Sequence, residues 1–254
     1  MTQDPDRLVR LEVVDAIASV TLDSQHNRNA LSRRLVAELA ECLDEADRAP
    51  ARAIVLRHEG PAFCAGADLK ERADDGRPND SSAMVGVMRQ LMESERPTIA
   101  AVEGAVRAGG IGLMASCDLV VVHSDVSFAL TEVRIGVAPA IISVPILRRV
   151  PPSKIAAAML TGEAFSARDA REMGLVTRVD DDVPAAVGAL CEGIRAGSPR
   201  AVAETKSLLR RVPAMERDEA FDDMSVLSER LFRGDDAREG MAAFRERRSP
   251  VWPE

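Results

Sequence analysis

The chain has 254 residues, 46% of them hydrophobic and 29% charged, a composition suited to one large globular domain or a domain with an extension. Its net charge of −8, with no basic stripe interleaved with aromatics, speaks against a nucleic-acid partner. Four cysteines (Cys42, Cys64, Cys117 and Cys191) without C-x-x-C spacing speak against a zinc site or a disulfide framework and for buried thiols in a reducing compartment.

Residues 8–14 and 16–22 read as two strands around Asp15, a hairpin. A polar loop follows over 23–30. Ser32 is placed to cap a helix whose apolar positions Leu35, Leu39, Cys42, Leu43 and Ala46 recur at helical spacing towards Arg48. Residues 53–56 form a short buried strand, broken by Gly60 and Pro61. Small residues at 63–67 lead into a charged turn, and 71–82, rich in Asp, Gly, Pro and Ser, is expected to be mobile. Met84, Val87, Met88, Leu91 and Met92 define a helix ending before Pro97; this methionine stripe suits a core face better than a soft ligand surface.

Residues 98–102 are an apolar, β-branched strand. The chain then turns through Gly104 to Ala108-Gly109-Gly110, beyond which Ile111, Leu113, Met114 and Ala115 read as a buried helix. Further strands are expected at 119–123 and 126–129, short helices at 139–150, 152–160 and 166–173, and a last strand at 175–179. Strands alternating with helices point to the α/β class. Four helices follow, at 183–195, 199–211, 217–232 and 235–247. Phe221, Met224, Leu227 and Leu231 share an apolar face that either folds back on the core or packs on a neighbouring chain. No apolar run approaches a membrane span and the first residues lack a signal pattern, so a cytoplasmic protein without a membrane partner is expected.

Two adjacent glycines at a strand-to-helix turn leave backbone N–H groups uncovered, and the first N–H groups of a helix lack internal partners. Gly109 and Gly110 therefore suit either an anion or developing oxyanion, or simply close packing of helix on sheet. The stretch from Gly110 through Gly112 to Ala115 also fits the dinucleotide fingerprint G-x-G-x-x-A, with Asp125 as a poor acidic partner. There is no G-x-S-x-G elbow, and His26, His58 and His123 have no evident triad partners.

Taken together, the run Ala65-Gly66-Ala67-Asp68-Leu69-Lys70, Gly104 with Ala108-Gly109-Gly110, and FALTEVRIG over 128–136 resemble the crotonase (enoyl-CoA hydratase/isomerase) superfamily. Residues 160–176 and 239–248 extend the resemblance nearly end to end. The run 130–143 is closest in character to methylglutaconyl-CoA-type hydratases, with Ala138-Pro-Ala-Ile-Ile replacing the usual glycine-rich turn.

The resemblance implies an α/β fold, a ClpP/crotonase-like ββα spiral core over 1–195. It also implies a C-terminal helical region over 196–254 used for trimerisation, giving a homotrimer or a homohexamer. It implies that the N–H groups of Ala67 and Gly109 hold the thioester carbonyl oxygen of an acyl-CoA. Ala30, Ala65, Ala67, Asp68 and Leu69 would lie along the CoA, with Lys70 and Arg28 at its phosphates, although Lys70 also reads as a solvated surface charge. The CoA thioester is a substrate; no resident cofactor and no metal are implied. Arg107 would touch a polar acyl tail or CoA, or simply solvent.

The family's hydratases use two glutamates. The first falls on Gly112, where the carboxylate is absent; the second falls on Glu132, for which the bland alternative is a cap or ion pair. The expected activity is hydration of a 2-enoyl-CoA with Glu132 moving the proton. The alternatives are a Δ3–Δ2-enoyl-CoA isomerase with Glu132 as sole base, and a non-catalytic acyl-CoA-binding homologue.

Overall fold

The computed structural model describes residues 6–74 and 81–252. It opens with the expected hairpin: β1 (Val9–Val14) and β2 (Ile17–Leu22) pair antiparallel around Asp15 and Ala16, both at positive φ. In α1 (Arg33–Arg48) the Ser32 side chain accepts the Leu35 N–H at 3.2 Å, satisfying one of the helix's orphan donors.

Three strand–strand–helix units follow. The first is β3 (Ala53–His58), β4 (Ala62–Cys64), the short α2 (Leu69–Asp74) and α3 (Ser82–Glu93). The second is β5 (Thr98–Val102), β6 (Ala105–Arg107) and α4 (Gly109–Ala115). The third is β7 (Leu119–Val122), β8 (Ser127–Ala129), a 3-10 turn (Glu132–Ile135) and α5 (Ala140–Arg149). The chain continues through α6 (Pro152–Thr161), β9 (Ala164–Ser166), α7 (Ala167–Met173), β10 (Arg178–Val179), α8 (Val183–Ala196), α9 (Pro199–Arg211), α10 (Arg217–Phe232) and α11 (Asp235–Glu246).

Each unit places its first strand in one sheet and its second in another, which makes the path a spiral. The large sheet runs β1-β2-β3-β5-β7-β10 and the small one β4-β6-β8-β9. The central strands are largely apolar, over residues 53–56, 99–102 and 119–122, because both faces of the large sheet are covered there. Ile54, Leu56, Ala100, Val102, Val120 and Val122 face the main core. Their neighbours Val55, Ile99, Ala101 and Val121 face a second core closed by Val183, Ala186, Val187 and Cys191 of α8. All four cysteines are free and buried.

α9 is fixed to the core by a buried cation. Lys206 Nζ lies 2.9 Å from Asp118 Oδ2 and donates to the carbonyls of Leu91 (3.0 Å) and Arg96 (2.9 Å). Asp118 also accepts from the Thr98 N–H at 2.7 Å and hydroxyl at 3.0 Å, so the pair is hydrogen-bonded on both sides. Among the described residues no helix is long and apolar enough to cross a membrane.

Several expectations need correction. The strand expected at 175–179 shrinks to two residues because the Leu175 and Val176 N–H groups close the end of α7 on Ala170 O. The segment expected to be mobile from residue 71 is helical to Asp74, since Asp68 Oδ1 accepts the Lys70 and Glu71 N–H groups; residues 75–80 lie outside the described ones. On α10, where either folding back or packing on a neighbouring chain was open, Met224, Leu227 and Leu231 are half-buried and Phe221 is 69% exposed.

Candidate functional site

β4, β6 and β8 run parallel side by side, with Cys64 opposite Val106 and Arg107 opposite Ala129. Their C-terminal ends therefore open on one edge. From that edge emerge residues 65–68, the Ala108–Gly109 entry to α4, and the turn that begins at Glu132. The Ala108 N–H donates to Ala129 O at 2.9 Å, tying the second of these exits to the third.

The first two exits approach each other closely. Leu31 pairs with Ala67 in a parallel bridge, its N–H donating to Gly66 O at 2.7 Å. In that register the Ala67 N–H points away from Leu31. Leu31 Cδ1 sits 2.8 Å from where a Cβ on Gly109 would stand, so one side chain touches both segments. Gly66 has φ +92°, and a Cβ there would meet that of Ala108 at 3.0 Å. Gly110 in turn lies against Cys64, whose Sγ accepts the Gly66 N–H at 3.4 Å. Burial pushes the Cys64 thiol up to about 12, so it is a neutral packing group. Gly109 is the first residue of α4, so its N–H lacks an intrahelical partner. Ala108 before it takes φ 47° and ψ −118°, a strained conformation for a residue with a Cβ. At the far end of α4, Arg149 donates to the carbonyls of Ala115 and Cys117 and anchors the helix.

Glu132 follows β8 by three residues and starts the 3-10 turn. Its Oε2 is buried and finds no hydrogen-bond partner among the described residues. Burial raises the carboxyl above its ordinary value and its own backbone N–H opposes this; no neighbouring charge contributes. Among the described residues Glu132 makes no ion pair, and its carboxyl meets its own backbone N–H at the start of the turn. A half-buried carboxyl with one unpartnered oxygen is able to accept and return a proton.

Gly112, one turn beyond Gly109, faces α5. A Cβ there would stand 2.4 Å from Ile142 Cγ2 and 2.5 Å from its Cβ. The place for a second carboxylate is therefore filled by Ile142, itself 3% exposed. The same contact overturns the dinucleotide reading, since a glycine packed under Ile142 offers no backbone to a pyrophosphate.

Of the residues expected along CoA, Ala65 and Ala67 are half-buried beside the amide pair, while Leu69 and Lys70 are exposed at the start of α2. Arg28 is exposed at φ 58°, and its carbonyl accepts the Ala65 N–H at 3.1 Å. Ala30 is buried. Asp68 is engaged locally: burial pushes its carboxyl up, but the Glu71 N–H, Asn27 and the Lys70 N–H outweigh this and hold it below its ordinary value. Arg107 turns back towards the start of β8, donating to Ser127 O at 2.5 Å and to its hydroxyl at 2.9 Å, away from the strand ends. Sequence reasoning missed Asn29. Buried at φ 55°, it donates to Glu59 O and Ala62 O and accepts the Ser24 N–H, locking the Arg28–Leu31 segment to β4. Its signal was an Asn in a polar loop, the residue type that tolerates positive φ.

Other clefts lie away from these segments. One of about 600 Å³ separates residues 92–97 from α9, and one of about 420 Å³ lies among α9, α10, α11 and Trp252. Neither touches the amide pair or Glu132.

Comparison with known proteins gives the family and the fold. The sequence model of a family described as "Enoyl-CoA hydratase/isomerase" matches residues 12–254. The chain is 32% identical over 257 residues to "Enoyl-CoA hydratase EchA19" of Mycobacterium tuberculosis, covering 97% of this chain and 96% of that one. It is 34% identical over 249 residues to "Mevalonyl-coenzyme A hydratase sidH" of Aspergillus fumigatus, covering 93% and 91%. A crystal structure of an enoyl-CoA hydratase from Mycobacterium smegmatis superimposes with a TM-score of 0.91 at 31% identity, covering 96% of this chain and 98% of that one. The fold is thus the crotonase fold that the sequence motifs led one to expect.

Proposed function

Because the chain belongs to the enoyl-CoA hydratase/isomerase family, we propose that it adds water to a 2-enoyl-CoA thioester. The observation that carries this reading is Glu132 Oε2, buried without a partner among the described residues, on the strand exit next to that of Gly109. The N–H groups of Ala67 and Gly109 hold the thioester oxygen as it gains enolate charge, each worth about 3–4 kcal/mol in the transition state. Glu132 takes a proton from water as the water oxygen bonds to C3. The resulting acid then delivers a proton to C2, leaving Glu132 ionised again. A carboxyl raised by burial suits this double duty better than one at its ordinary value.

On the same reading, Ala30, Ala65, Ala67, Asp68 and Leu69 flank the CoA and Lys70 and Arg28 meet its phosphates. The thioester is the substrate, with no resident cofactor. The chain works in the cytoplasm as a trimer or hexamer assembled through residues 196–254. Exposed Phe221, Val226, Phe232 and Phe244 support that self-association.

A second reading has its own observation. Ile142 filling the space at Gly112 leaves one acid–base group, which suffices to move a proton and shift a Δ3 double bond to Δ2. A non-catalytic acyl-CoA-binding role is the third. A panel of 2-enoyl- and 3-enoyl-CoA thioesters, read by product mass, separates them. Hydration gains one water, isomerisation gains none, and a binding protein leaves every thioester unchanged.

A further inference from the structure

Glu132 receives no orienting hydrogen bond at its buried Oε2, so its direction is set by the 3-10 turn that carries it. That turn is held by bonds within itself. Val133 and Ile135 are exposed, and its backbone bonds are the Arg134 N–H to Thr131 O at 3.0 Å, the Gly136 N–H to Glu132 O and Val133 O, and the Val137 N–H to Glu132 O at 3.1 Å. Among the described residues, the side-chain hydrogen bond that ties the turn to another element comes from Arg134. Its Nε donates to Thr161 O, the last carbonyl of α6, at 3.1 Å. A cation there meets the negative end of a ten-residue helix. The stem of Arg134 also lies flat over Gly162, where a Cβ would stand 2.8 Å from Nε and 3.2 Å from Cδ and Cγ. A side chain at 162 would displace the arginine, and Gly162 at φ +68° closes α6 in a conformation that suits glycine.

We infer that Arg134 is a positioning residue for Glu132, clamping the catalytic turn onto the C-terminal end of α6. This rests on the reading of Glu132 as the proton-transfer group. The clamp keeps the carboxyl in its half-buried place, and loosening it lets water reach the carboxyl. Water would return the carboxyl towards its ordinary acidity, because burial is what raises it and no charged group of α6 or of the turn itself contributes.

The test uses Arg134→Met, which keeps the stem over Gly162 and removes the donor, with Arg134→Lys as the rescue and Glu132→Gln as reference. Arg134→Met is expected to lower kcat by about tenfold, a part of what a 1 Å misplacement costs. KM and CoA affinity should stay within about twofold, because the amide segments are untouched. The acid limb of its kcat–pH profile should move to lower pH, and Arg134→Lys should restore most of kcat and the limb. Wild-type kcat and an unmoved limb in Arg134→Met, beside an inactive Glu132→Gln, overturn the inference alone. Activity retained in Glu132→Gln overturns it together with the reading beneath it.

Discussion

Glu132 is held against its own electrostatics, and that has two consequences. A carboxyl raised by burial is stabilised by folding in its neutral form. Between its ordinary value and the raised one, the folded chain therefore binds more protons than the unfolded chain, and stability falls as pH rises through that window. Glu132→Gln is expected to raise Tm near pH 7 and to leave it unchanged below about pH 4, by thermal melts across pH. The same variant should lose roughly 10²–10⁴-fold in kcat, the usual worth of a positioned acid–base group. In the wild type, kcat should fall as pH drops through the raised value, since the ionised form takes the first proton. Ala108 stores strain of another kind. At φ 47° it is expected to gain about 1 kcal/mol from Ala108→Gly, in chemical denaturation with an unchanged m-value. Gly112→Ala should cost about 1–3 kcal/mol by forcing a methyl into Ile142, and adding Ile142→Ala should recover part of it.

Among the elements, long periodic segments and the strands β7 and β8 were readable, while β4, β6 and β9 were not. The cap at Ser32 and the apolar spacing of α1 dictate that helix locally. β4, β6 and β9 are three residues each and exist because a neighbouring strand supplies their partners. Nothing in Ala62-Phe63-Cys64 carries strand periodicity. The glycine pair at 109–110 read as anion-ready because small residues at a strand–helix turn have that physical meaning, whereas the role of the run at 65–70 came only from the resemblance. That Leu31 lies against both, or that Ile142 closes Gly112, depends on register across tens of residues and leaves no local trace. Lys206 is the clearest case. A lysine on an amphipathic helix reads as solvated, yet it is 7% exposed and bound to Asp118 and two carbonyls. Lys206→Ala leaves Asp118 unpaired and should cost about 3–5 kcal/mol in equilibrium unfolding, while a surface lysine would cost almost nothing.

For the whole molecule, two sheets wound by repeated ββα units bring three parallel strand ends to one edge, and the segments carrying Ala67, Gly109 and Glu132 leave the small sheet there. The C-terminal helices contribute exposed phenylalanines instead of a closed core. Sedimentation of the wild-type chain should therefore give a trimer or hexamer, and Phe244→Asp with Phe232→Asp should shift it towards monomer. The proposed chemistry turns on whether one carboxyl and two amides suffice to add water. Incubating a 2-enoyl-CoA in ¹⁸O-enriched water, with wild type and Glu132→Gln side by side, measures this by product mass. The prediction is a 3-hydroxyacyl-CoA carrying one heavy oxygen from the wild type and none from the variant; an unlabelled or shifted double-bond product from the wild type, or equal labelling by both, would contradict it.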